Sequence, residues 1–241
     1  MKEINLKIDG SDVLTEKAIF NQEEPTEFDY VVSTIPVSKY ENLKIEGMTN
    51  DQSVLLRTFT ANNLLGRNRK VFLLFSTPWW SNITSGHFDY CVEKTTSCIW
   101  TTPVHQNSAN INATVHSLTL FTGGKATENI DKTVKKVLKQ LFKKFGDKIG
   151  DSYIKSVKGY DWQTDKNIGG SYSGMRTPGS EANYKEMIAS KNFGRLYFAG
   201  EAFSEANYGY IDGAIETGKN AASWIESFAI YTPWLGGILI F

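Results

Sequence analysis

Residues 195–219 read RLYFAGEAFSEANYGYIDGAIETGK: a short apolar run that closes on Gly200-Glu201, crosses a turn at Tyr208-Gly209-Tyr210 and opens into a stretch of helical spacing. In that last part Ile211, Ala214, Ile215, Ala221, Ala222 and Ile225 are available for packing. Gly213 to Lys219 miss a phosphate-loop pattern at one position, because Asn220 stands where the magnesium-binding Ser or Thr belongs. The phosphate-loop reading fails on backbone grounds as well. Such a loop must curl so that successive N–H groups face the phosphates, whereas the interior AIET favours a helix that already uses them.

Outward from this stretch the chain mixes strands and helices. INLKID (residues 4–9), FDYVVSTIP (28–36, stopped by Pro36), KVFLLF (70–75) and ATVHSLTLF (113–121, ended by Gly123-Gly124) have strand patterning. ENIDKTVKKVLKQLFKKF (128–145) puts Ile130, Val134, Val137, Leu138, Leu141, Phe142 and Phe145 on one helical face, with Thr127 as the expected N-cap. Six lysines occupy its other face, Lys132, Lys135, Lys136, Lys139, Lys143 and Lys144. Against the neutral whole-chain balance these read as a solvated face. Strands in both terminal thirds around a mixed middle predict an α/β chain whose two ends share one domain.

The 241 residues, 41% hydrophobic, suffice for a sizeable core. Lys plus Arg and Asp plus Glu number 26 each, so charge makes no case for nucleic acid or an anionic membrane as the main partner. Cys91 and Cys98 match no disulfide framework, zinc spacing or redox motif, and read as thiols in a reducing, cytoplasmic compartment. His87, His105 and His116 have no metal or triad spacing. GGSYSG (169–174) nearly matches a hydrolase elbow but has Tyr172 at the nucleophile position. The first residues lack the apolar core of a signal peptide, and the sequons at Asn82 and Asn112 carry no weight without one. The uncharged tail from Phe228 to Phe241 is shorter than the ~20 residues that span a bilayer, and is expected to be a packed end rather than an anchor.

LYFAGEAFSEANYGYIDGAIETGK resembles the C-terminal signature of the flavin-containing amine oxidases, the family of monoamine and polyamine oxidases. Three further blocks agree with it in order. FDYVVSTIP resembles the strand returning the chain to the FAD domain, KVFLLFSTPWW the strand carrying the active-site lysine, and DWQTDKNIGGSYSGMRTPG the segment beside the flavin. The resemblance covers the C-terminal half of a typical member, and the chain has no Gly-x-Gly-x-x-Gly. It implies FAD-domain strands in residues 1–44, a substrate-binding domain in 45–157, a return to the FAD domain in 158–227 and an apolar tail in 228–241.

The resemblance also implies roles. Gly200, Glu201, Gly209, Tyr210, Ile211 and Asp212 would contact FAD, the last three as the N-terminus of a helix laid against the flavin ring, where its N–H groups stabilise developing negative charge. Glu201 would meet the ribityl-diphosphate part, Trp162 would pack by the ring, and Lys70, ten residues before Trp80, would hold a water over the flavin. Tyr172 and Tyr210 would form an aromatic cage for the amine. Ser171 stands where monoamine oxidases have the cysteine that tethers FAD, which implies non-covalent binding. Each also has a plainer reading: Glu201 as an exposed carboxylate, Lys70 as one end of a basic cluster with Arg67 and Arg69, the aromatic residues as core. The implied activity is FAD-dependent oxidation of a small amine, with no metal, and a separate N-terminal half or a second copy of the chain as partner. The alternatives are a non-catalytic remnant of the fold, or another FAD oxidoreductase of desaturase or mutase type.

Overall fold

The computed structural model describes residues 4–7, 16–20, 26–84, 87–93, 96–102, 115–146, 148–229 and 237–240. His105, Asn112, the start of the 113–121 strand and most of the apolar tail lie outside them. Along the chain run β1 (Ile4–Lys7), β2 (Glu16–Phe20), β3 (Thr26–Phe28), β4 (Tyr30–Ser33), β5 (Lys44–Glu46), α1 (Asn50–Asn62), β6 (Asn63–Leu65), β7 (Asn68–Phe75), β8 (Asp89–Val92), β9 (Ser97–Thr101) and β10 (His116–Gly123). They are followed by α2 (Ile130–Phe145), α3 (Lys148–Ser152), β11 (Tyr153–Lys158), β12 (Ser173–Arg176), α4 (Glu181–Ala189), β13 (Asn192–Phe193), β14 (Leu196–Phe198), α5 (Ile211–Ala229) and β15 (Ile238–Ile240).

The chain divides into two compact units, residues 1–66 with 164–241, and residues 67–163. In the first, β4 pairs in parallel with β14 and with β15, in the order β13-β14-β4-β15. All four residues of β4 are buried, as a parallel strand covered on both faces requires. On one face Val31, Leu196 and Phe198 pack with Leu55, Leu56 and Phe59 of α1, Met187 of α4 and Phe203. Phe59 stacks on Phe203 at 5.0 Å. On the other face Ala221 and Ile225 of α5, with Trp224, cover Tyr30, Val32 and Tyr197. Burying each such large side chain stabilises the fold by about 1.5–3 kcal/mol. The tail closes this sheet: Gly237 donates its N–H to the Asp29 carboxylate at 2.8 Å, and Ile238 to Ile240 run beside Tyr30 to Val32. A second sheet has the order β3-β2-β1-β5, and β6 pairs with β12.

The passage between units falls at Gly66 and Arg67, not near residue 45 as the sequence suggests. The reason is α1, closed at its start by a reciprocal Thr49–Gln52 capping box. Its apolar residues find their partners in Phe198 and Phe203, far along the chain.

In the second unit an antiparallel sheet, β11-β7-β10-β9-β8, carries α2 on one face. Val71, Leu73 and Phe75 of β7, Leu118 and Leu120 of β10 and Ile99 of β9 meet Val134, Val137 and Leu141 of α2. The N-cap of α2 is Asn129, whose side chain accepts the Lys132 N–H at 3.0 Å, rather than Thr127, which ends the preceding 3-10 turn. Cys91 and Cys98 are not free thiols: they stand opposite each other in the β8–β9 hairpin and form a disulfide. Two cysteines brought into cross-strand register by a hairpin have no recognisable spacing in sequence.

Candidate cofactor and active site

The opening stretch folds as strand, turn and helix within the first unit. Gly200 leaves β14 with φ 121°, a conformation that favours glycine, and its N–H is bound by Thr217 Oγ1 at 2.9 Å. Glu201 follows in a 3-10 turn spanning Glu201–Phe203. Its carboxylate bridges two segments: Oε1 accepts the Ser173 N–H at 3.0 Å and Oε2 accepts the Gly209 N–H at 2.5 Å. Gly209 has φ 82°, and a Cβ there would lie 2.6 Å from the Ser173 carbonyl oxygen and 3.6 Å from Tyr172 Cδ2. Glu201 thereby draws the segment bearing Tyr172 against the turn bearing Tyr210.

Side chains beyond this bridge are uncovered. Tyr172 is 42% exposed, Tyr210 71% and Ile211 79%, and Asp212 is also exposed in the first turn of α5. These open side chains surround the helix start and take no part in the buried core. Ser171 ties the same segment to Gly66, its Oγ donating to the Gly66 carbonyl at 2.8 Å. Gly213 to Lys219 are helical, inside α5. A Cβ at Gly213 would fall 2.2 Å from the Asn207 carbonyl oxygen, so that glycine serves the close turn into α5 and not a phosphate.

Sequence patterning missed Arg176. Its guanidinium carbon lies 3.2 Å from the centre of the Tyr184 ring and 4.1 Å from that of Tyr208, the residue before Gly209. Burial pushes the Tyr184 hydroxyl up to about 12, with Arg176 opposing that shift. Tyr184 donates to the Ser204 carbonyl, and Ser204 Oγ donates to Glu216 at 2.9 Å. A lone Arg with two distant tyrosines carries no spacing signal.

Lys70 and Trp162 belong to the second unit. Lys70 lies on the β7 face opposite the α2 core, across from Phe121, and is exposed. Its apolar strand would suggest a buried lysine in need of a partner, but the exposed side chain carries no such burial cost. Its carbonyl accepts the Gly159 N–H at 2.9 Å. Next to it Arg69 pairs with Asp161 at 2.9 Å, anchoring the loop on which Trp162, 44% exposed, meets Tyr160 edge-on at 4.6 Å. Among the described residues no His, Cys, Asp and Glu group is arranged to hold a metal.

A glycine-tight strand–turn–helix with open aromatic side chains, joined to a doubly covered parallel sheet, defines a partial amine oxidase fold of mixed α/β class. The chain belongs to the family of flavin containing amine oxidoreductases, whose pattern it matches over residues 1–225. It is 36% identical over 75 residues to a pseudooxynicotine dehydrogenase from Pseudomonas sp., a stretch covering 31% of this chain and 15% of that protein. Among solved structures it is similar to wild-type putrescine oxidase bound to putrescine, with a TM-score of 0.72, 16% identity, and 94% of this chain and 48% of that one covered. It is also similar to cyclohexylamine oxidase from Brevibacterium oxydans, with a TM-score of 0.71, 19% identity and coverage of 93% and 48%. The chain spans about half the length of these solved structures.

Proposed function

We propose that this chain supplies the flavin-contacting half of an FAD-dependent amine oxidase, which converts an amine, dioxygen and water to an aldehyde or ketone, ammonia or a smaller amine, and hydrogen peroxide. The observation that supports this reading is the Glu201 bridge, which sets Tyr172 beside Gly209 and Tyr210 at the start of α5. These residues fit a flavin. The backbone is free of Cβ at Gly209, the neighbouring aromatic side chains are open, and a 19-residue helix begins where the ring would rest.

When bound, FAD would take the two electrons of amine oxidation and pass them to dioxygen. Tyr172 and Tyr210 would flank the amine and orient it by their ring faces. The first N–H groups of α5, from Ile211 and Asp212, would stabilise negative charge on the flavin pyrimidine ring, whereas the Tyr210 N–H expected to join them is already donated to the Asn207 carbonyl at 3.2 Å. Each Glu201 oxygen keeps a second lone pair, which would accept from a ribityl hydroxyl, and Gly200 would let that part of the cofactor approach. Lys70 would hold a water for the reaction with dioxygen, and Trp162 would pack near the ring. With Ser171 in place of a tethering cysteine, FAD would be held without a covalent bond. The small amine is the proposed partner, and a dinucleotide-binding unit would complete the FAD site.

The test is absorbance of the purified chain with added FAD, followed by peroxide release on an amine panel. Uptake of FAD with peroxide release supports the reading. A chain that stays colourless at every FAD concentration overturns flavin binding by this polypeptide and leaves a non-catalytic remnant. Bound flavin without peroxide points to the desaturase or mutase type.

A further inference from the structure

The whole chain is neutral, but its two units are not. Residues 67–163 hold 14 Lys and Arg against 7 Asp and Glu, and the remaining residues hold 12 against 19. The excess cation of the second unit is concentrated on α2. Lys132, Lys135, Lys136, Lys139, Lys143 and Lys144 are all exposed along this helix, which is about 24 Å long at 1.5 Å per residue. Nearby acids do little to offset them. Asp131 is paired with Lys158 at 2.8 Å, and Glu128 with Arg67 at 3.7 Å. Along one edge of the face Lys135, Lys139 and Lys143 line a shallow groove with Leu138 and Phe142.

We infer that the exposed face of α2 is a docking surface for an anionic lipid bilayer, held peripherally. Charge complementarity commits it to an anion, and the residue types favour a surface over a discrete site. Every cation on the helix is Lys and none is Arg, so the face offers mobile point charges rather than the planar forks that grip one phosphate or carboxylate. A continuous stripe of such charges with an apolar furrow suits many headgroups at once, and its attraction falls off within a Debye length. No helix among the described residues is long and apolar enough to cross a membrane. The inference is independent of flavin binding.

The experiment is co-sedimentation of the full chain with phosphatidylcholine vesicles, with and without phosphatidylglycerol, at about 0.05 M and about 0.5 M salt. Binding is expected only with the anionic lipid and only at low salt. The triple variant Lys135→Gln, Lys139→Gln, Lys143→Gln, checked for intact helix by circular dichroism, should bind roughly a hundredfold more weakly, at about a fivefold step per lysine. The triple variant Lys166→Gln, Lys185→Gln, Lys219→Gln changes net charge equally in the other unit and should bind as wild type does. Equal binding to pure phosphatidylcholine, equal loss in both triple variants, or no loss in the α2 variant overturns the inference. Preferential capture of poly-glutamate over the vesicles overturns it in favour of an acidic protein partner.

Discussion

The Glu201 carboxylate and the Gly209 amide are joined at 2.5 Å, while the other oxygen of the same carboxylate holds the Ser173 amide at 3.0 Å. One side chain thus fixes the spacing between two backbone segments that no strand pairing connects. Its removal tests whether the candidate cage is held from behind.

Replacing Glu201 with Gln leaves a single acceptor oxygen for two amides, and Glu201→Ala leaves none. Glu201→Ala should lower stability by about 1–3 kcal/mol, the cost of stranding buried donors, with Glu201→Gln between it and wild type. Urea unfolding measures the loss. Hydrogen exchange should accelerate locally at Ser173 and Gly209; uniform acceleration across the unit would speak against a local tether.

Gly213 and Gly218 lie on the same helix and should respond in opposite directions to alanine. A Cβ at Gly213 meets the Asn207 carbonyl at 2.2 Å, whereas nothing lies within 4 Å of one at Gly218. Gly218→Ala should stabilise the chain by about 0.5–1 kcal/mol through helix propensity. Gly213→Ala should destabilise it by at least about 2 kcal/mol through forced backbone displacement. Thermal unfolding of the two variants decides the matter.

The Cys91–Cys98 bridge spans a sequence separation of 7 within one hairpin. Closing so short a loop contributes about 2.5 kcal/mol on the chain-entropy estimate. Reduction, or the pair Cys91→Ser with Cys98→Ser, should lower the midpoint of unfolding without abolishing folding, because α2 still covers the other face of the sheet. Intact mass before and after reduction identifies the bridge.

Tyr184 titrates at about 12 when folded and near 10 when unfolded, because burial disfavours its phenolate; burial raises Tyr40 and Tyr197 as well. A raised folded value means that the contribution is whole below about pH 10 and is lost as pH climbs through about 12. Stability should therefore decline across that alkaline window, with phenolate absorbance appearing late and together with unfolding. In Arg176→Met the Tyr184 phenolate should form at still higher pH, since the cation that favours it is gone.

Periodicity made much of this architecture readable. KVFLLF and the 128–145 helix each bury the face their spacing indicates, since both patterns record a sheet or core that lies on one side only. Tyr172, Gly209 and Tyr210 follow from the family resemblance, and the structure brings the two segments that bear them together at Glu201. What stayed hidden was pairing at a distance. The partners of α1, the Arg176 stack, the Cys91–Cys98 register and the Gly237–Asp29 contact each join residues whose neighbourhood exists only after folding. The lysine stripe was visible, but the neutral total concealed it until the chain divided into two oppositely charged units.

The parallel pairing of Val31 with Leu196 has a temporal consequence. During synthesis β4 and α1 leave the ribosome long before β14 and α5, and the whole of residues 67–163 is translated in between. That inserted segment has its hairpins and α2 close in sequence and can condense early, whereas Phe59, Leu55 and Val31 wait for partners. Nascent chains stalled before residue 196 should therefore hold a protease-resistant middle and an open first third that recruits chaperones.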